Sequence, residues 1–175
     1  MGSSAIGRSV IPPLRERKRR VVRAAGENEA ILRQTTGWES AMKVEGGCYC
    51  GALRYVAEGE PAMKAQCHCR ECQYITGGSP NVFMAMPQDG FKYTKGTPKQ
   101  FKRKDLERAV TREFCGECGT HVVTRAPGFP MVIIKVGSLD DPKLFGTPQM
   151  AIYTIDKQAF HQIPEGIKTF ERLPG

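Results

Sequence analysis

Seven cysteines fall into three tight groups along this chain: Cys48 with Cys50, Cys67 with Cys69 and Cys72, and Cys115 with Cys118. None stands alone. Sulfur spaced this closely constrains the fold more than any hydrophobic pattern here, because one metal ion can gather thiolates from separate loops into a single body. A disulfide framework is the competing reading. Against it, the two cysteines of a Cys-x-Cys pair are badly placed to bridge each other, and the odd count leaves one sulfur over. The first residues also lack the apolar stretch of a secretory signal, so a reducing, cytoplasmic setting is expected.

The groups divide by spacing. On a strand, alternation would project Cys48 and Cys50 from one face and turn Tyr49 away. Cys115-Gly116-Glu117-Cys118-Gly119 reads as a metal knuckle, in which a two-residue spacer lets both sulfurs reach one ion and the glycines permit the turn. Cys48, Cys50, Cys115 and Cys118 together suit a closed, tetrahedral structural zinc that staples distant parts of the chain. The middle group is different. A strand period places Met63, Ala65, Cys67 and Cys69 on one face, lets Cys72 return through a turn, and points His68 away. Three thiolates without an evident fourth partner leave an open coordination position. Their combined negative charge makes the zinc a weak activator of water but a good partner for a further sulfur, which favours a thiol ligand. His68 is read as a structural histidine, with an acid or base role as the alternative.

The rest of the chain supplies the frame. Residues 1–42 carry Pro12-Pro13 and the run Arg15-Glu16-Arg17-Lys18-Arg19-Arg20, and are expected to form a basic, disordered tail. Residues 1–43 contain nine Lys and Arg against four Glu, so most of the formal charge of +8 lies there, and it says little about the remainder. Nucleic acid is not an expected partner on this ground, nor is a membrane, since no apolar run is long enough to span one. Residues 43–175 alternate in short runs broken by Gly and Pro: Leu53–Val56, Asn81–Met86, Phe91–Tyr93, Val110–Phe114, His121–Thr124 and Met131–Val136 all predict strands. Helical periodicity is limited to turns near Cys72–Thr76 and Asp140–Leu144. The fold class is all-β.

With those residues in view, the chain resembles the glutathione-dependent formaldehyde-activating family, which includes the centromere protein V type of zinc domain. The resemblance lies in Gly47-Cys48-Tyr49-Cys50-Gly51, Cys67-His68-Cys69-Arg70-Glu71-Cys72 and Phe114-Cys115-Gly116-Glu117-Cys118-Gly119-Thr120, then Val136-Gly137-Ser138-Leu139-Asp140 and Ile152-Tyr153-Thr154. It implies small Gly/Pro-rich sheets stapled by zinc, of the Mss4-like or β-tent type. Two zinc ions are implied, one on Cys48, Cys50, Cys115 and Cys118 and one on Cys67, Cys69 and Cys72, with no catalytic residue named beyond the latter three. The implied activity is that of a carbon–sulfur lyase, condensing glutathione, or another small thiol, with formaldehyde or another small aldehyde. Arg70 and the Lys102-Arg103-Lys104 run are candidates for holding the thiol's carboxylates, and Ser79 is a further candidate contact. The rival reading is a non-catalytic zinc binding module whose Arg-rich tail contacts nucleic acid or a protein partner.

Overall fold

The structure, a computed structural model, describes residues 41–174. The tail expected over residues 1–42 therefore lies almost wholly outside the described residues. Among the described residues, eleven strands form two sheets. Strands β1 (Lys43–Gly47), β2 (Arg54–Glu58) and β5 (Phe91–Lys95) make the smaller one, antiparallel, in the order β1-β2-β5. The larger contains β3 (Met63–Cys67), β4 (Asn81–Pro87), β6 (Lys99–Lys102), β7 (Thr111–Phe114), β8 (His121–Arg125), β9 (Met131–Lys135), β10 (Met150–Ile152) and β11 (Lys168–Thr169). Its order is β11-β10-β3-β4-β9-β8-β7-β6. Among the described residues one short α-helix, α1 (Arg70–Thr76), interrupts the β-structure, so the all-β expectation holds.

Side-chain parity divides the large sheet into two differently used faces. Met84, Ile134 and Val123 lie in register across β4, β9 and β8, and they pack with Val44, Tyr55 and Ala57 of the small sheet into the main core. The opposite face carries Ile152, Cys67 and Asn81 in one row of β10, β3 and β4. The next row holds Ala65, Phe83 and Lys135 across β3, β4 and β9, and Ile133, Thr124 and Arg112 continue outward on β9, β8 and β7. A one-residue slip would exchange the faces.

The two sheets are locked together at one corner. Gly46 pairs with Leu139, and a Cβ at Gly46 would run into the Ser138 carbonyl and the Tyr55 hydroxyl, so only glycine fits. Tyr55 Oη and Ser138 Oγ lie 2.9 Å apart, and Arg54 binds Asp140 through both carboxylate oxygens. The Gly137-Ser138-Leu139-Asp140 stretch is thus a clasp between β1, β2 and the end of β9.

Two local expectations change. Cys48, Tyr49 and Cys50 occupy the tight turn after β1, closed by Gly51 N–H donating to Cys48 O at 3.1 Å, and not a strand. Gly51 has φ +74°, which strand geometry excludes. The sulfurs still converge, through the turn and not through alternation. Cys69 also leaves the strand: β3 ends at Cys67, and Cys69 caps α1. The turns expected near Cys72–Thr76 and Asp140–Leu144 are α1 and a 3-10 turn over Pro142–Phe145.

Candidate metal centre and cavity

The seven sulfurs assemble into two clusters, in the partition read from the spacing. Within each, all sulfurs lie within 4.8 Å of one another: Cys48, Cys50, Cys115 and Cys118 in the first, Cys67, Cys69 and Cys72 in the second. All seven thiols are free.

The four-sulfur cluster joins the β1–β2 turn to the β7–β8 turn. Cys48 Sγ accepts from Leu53 N–H at 3.2 Å and lies 3.5 Å from Cys50 Sγ, which is 3.7 Å from Cys115 Sγ. Thr120 ties the turns, its Oγ1 accepting from Tyr49 N–H at 3.1 Å and standing 3.2 Å from Cys118 Sγ. That hydroxyl and nearby backbone N–H groups pull the Cys118 thiol down to about 5. Cys50 moves up to about 12, because neighbouring Cys118 and Cys48 outweigh the lowering contact with the Ala52 backbone. Thiols this close cannot all ionise by themselves, and a divalent cation removes the conflict. The donor set fits a metal ion.

In the second cluster, Cys67 Sγ comes from the end of β3. Cys69 sits at the N-cap of α1, its sulfur accepting from Cys72 N–H at 3.4 Å, and Cys72 lies buried in the first turn. Hydrogen bonds from Cys67 and Cys72 hold the Cys69 thiol down to about 2. The same contacts, with burial, push Cys67 strongly up. Again one thiolate is stabilised at its neighbours' expense, the pattern a cation resolves.

Unlike the first cluster, this one lines a cavity of about 480 Å³, within the range of small-molecule sites. Phe83, Ile133 and Ile152 give it an apolar wall, and Arg70, Arg108, Arg112, Lys135 and Arg172 supply five cations against the two carboxylates Glu71 and Asp156. Arg112 is engaged, donating to Glu71 at 2.7 Å. Lys135 is buried, and desolvation lowers its amine to about 8 even with three thiols nearby. A smaller cavity of about 340 Å³ also borders Asn81 and Lys135. Tyr153, on the rim, has φ +54°, a strained conformation for an aromatic residue.

His68, just past the end of β3, does not line this cavity. It is fully buried, its Nδ1 3.0 Å from His161 Nδ1, while His161 Nε2 lies 2.8 Å from Gly78 O. Gln73 on α1 reinforces the same junction, donating to the carbonyls of His68 and Asp156 at 2.6 and 2.9 Å. His68 thus sits in the seam that fixes α1, and with it Cys69 and Cys72.

Of the charged residues suggested by sequence, Arg70 lines the cavity but donates to Gln73 and covers the Tyr74 ring at 5.2 Å. Arg103 is bound to Asp105 and Glu71, and neither Lys102, Lys104 nor Ser79 borders the cavity. Arg108, Arg112, Lys135 and Arg172 were missed. The parity of Arg112 and Lys135 was readable on β7 and β9, but which strand lies beside which was not, and Arg108 and Arg172 lie outside the strands.

The sequence model of the family described as glutathione-dependent formaldehyde-activating enzyme matches residues 43–156, which include both clusters. The chain belongs to this family. Among curated proteins no match is found. A solved structure from Rhodobacter sphaeroides, determined as a structural genomics target, overlaps with a TM-score of 0.47 at 18% identity, covering 59% of this chain and 96% of the other. Among the described residues no helix is long and apolar enough to cross a membrane.

Proposed function

We propose that this member of the family is a cytoplasmic, zinc-dependent enzyme of the carbon–sulfur lyase class, which adds glutathione or a similar small thiol to formaldehyde or another small aldehyde. One observation carries the reading: three sulfurs with no fourth His, Cys, Asp or Glu among the described residues stand on the wall of a cation-rich cavity. The proposed metal content is two zinc ions per chain, one in the four-cysteine cluster as a structural staple and one in the three-cysteine cluster. Zinc held by Cys67, Cys69 and Cys72 would supply a soft Lewis acid that lowers the pKa of an incoming thiol.

The chain's own residues do the rest. Phe83, Ile133 and Ile152 exclude water around the sulfurs, which strengthens the electrostatic interactions inside. Arg108 and Arg172 are free of carboxylate partners among the described residues and are placed to receive a thiol's carboxylates. Residues 43–175 form the working domain in this reading, and 1–42 an accessory tail. The binding-module alternative requires the three-sulfur cluster to be closed by the protein. Calorimetric titration with glutathione, with and without formaldehyde, tests the proposal: heat of binding at one site per chain, enlarged by the aldehyde, is expected. No heat under either condition would sink it.

A further inference from the structure

Among the described residues, Lys135 is the one cation on the cavity wall that is both deeply buried and without a carboxylate partner. Arg112 is paired with Glu71, Arg103 with Asp105 and Glu71, and no acidic side chain reaches Lys135 among the described residues. An ammonium taken out of water is costly unless its charge and its three N–H donors are matched. Negative sulfur accounts for part of the charge, since Lys135 feels Cys72, Cys67 and Cys69 together.

Register gives this lysine a companion. Asn81 is the direct cross-strand partner of Cys67, Lys135 is the partner of Phe83 two residues further along β4, and all four side chains share the cavity face. Asn81 is 4% exposed, an amide set in a largely buried position on the cavity face. Two polar groups that can donate hydrogen bonds thus stand beside the sulfur cluster, on the cavity face that also carries Phe83, Ile133 and Ile152.

We propose that Lys135 and Asn81 form an oxygen-binding subsite, which takes the carbonyl oxygen of the aldehyde and holds the alkoxide that it becomes. The inference rests on the thiol-addition reading above. In the step, a lone pair of the thiolate forms the C–S bond to the carbonyl carbon, and the π pair of the C=O bond moves onto oxygen. The oxygen then takes up a proton through solvent, equal to the one that the thiol released on binding. Nothing is oxidised or reduced. Donors fixed before the charge develops stabilise the alkoxide more than the neutral carbonyl, which is how such a pair accelerates addition.

The test compares wild type, Lys135→Met, Lys135→Arg and Asn81→Ala by three readouts: zinc content, glutathione affinity by calorimetry, and the adduct formation rate by saturation-transfer NMR. Lys135→Met is expected to keep its zinc and bind glutathione within about threefold of wild type, while adduct formation slows about 10²-fold. Lys135→Arg should recover part of the rate, and Asn81→Ala should lose about tenfold. A wild-type rate in Lys135→Met overturns the proposal. So does loss of zinc with an unchanged rate per bound zinc, which would make Lys135 a counter-charge to the thiolates only. If Lys135→Met does not fold, Asn81→Ala decides: slower addition at unchanged affinity supports the subsite, and an unchanged rate overturns it. A wild type that binds no glutathione overturns the parent reading and this one together; binding and addition that survive both substitutions overturn this one alone.

Discussion

The two cysteine clusters differ in how far apart along the chain their sulfurs lie and in whether they line a cavity. In one, the sulfurs come from turns on different parts of the chain, with Cys50 and Cys115 separated by 65 residues, and two of the four reach the surface. In the other, three sulfurs within six residues are gathered by a strand end and a helix start, and they line a cavity. Exposure alone would suggest the reverse assignment, since the surface cluster is the more accessible. Chain separation is the better guide. An ion that closes a long loop removes much of the unfolded chain's freedom, whereas one that closes a six-residue stretch removes little. In the proposed reading, the local cluster is therefore the one whose ligand field can be left incomplete without endangering the fold.

This contrast breaks most visibly at Cys115, which is 1% exposed at the centre of the long-range cluster. Structural zinc contributes on the order of 10 kcal/mol, comparable to the whole stability of a domain. Cys115→Ala should abolish cooperative unfolding and leave a largely unfolded chain by circular dichroism; Cys118→Ala should do the same. A folded Cys115→Ala protein would remove the staple from the account. At the local cluster, Cys72→Ala should keep a native spectrum and a cooperative melt, lose one of two metal equivalents, and bind no glutathione. A melt that collapses as in Cys115→Ala would erase the distinction between the clusters.

A smaller effect sharpens the comparison through pH. His121, just past Cys118 and Thr120, is held down to about 3 by burial, with its Nε2 3.0 Å from Val123 O. The unfolded chain, with a histidine pKa near 6.5, takes up the proton first, so this contribution is complete above about pH 6.5 and is lost progressively as pH falls toward 3. Urea midpoints measured from pH 7 to pH 5 should therefore fall less in His121→Gln than in wild type. Parallel curves in the two proteins would contradict this assignment.

How much of this was legible in sequence follows from the range of each interaction. The cluster partition needed only local spacing, and the seven sulfurs meet as the spacing required. Strands such as Asn81–Pro87 and Met131–Lys135 were legible because alternating apolar runs survive in them, but Lys99–Lys102, with four exposed residues, and the three-residue Met150–Ile152 carry too little pattern to declare themselves. The turn at Cys48-Tyr49-Cys50 was mistaken for strand because Cys-x-Cys alternates like one, while the decisive signal was Gly51, which adopts positive φ. The cavity was the least legible part. Arg112, Thr124, Lys135 and Asn81 become neighbours through the order β4-β9-β8-β7, and no periodicity within one strand encodes who its neighbours are.

The proposed difference in coordination is open to direct measurement by X-ray absorption at the zinc edge of the metal-loaded protein, before and after addition of glutathione. The account predicts an average of about 3.5 sulfurs per zinc, from one complete and one incomplete set, rising to about 4 when the thiol occupies the open position. A value already at 4 without thiol, or one that does not rise with it, would contradict the division of labour between the two clusters.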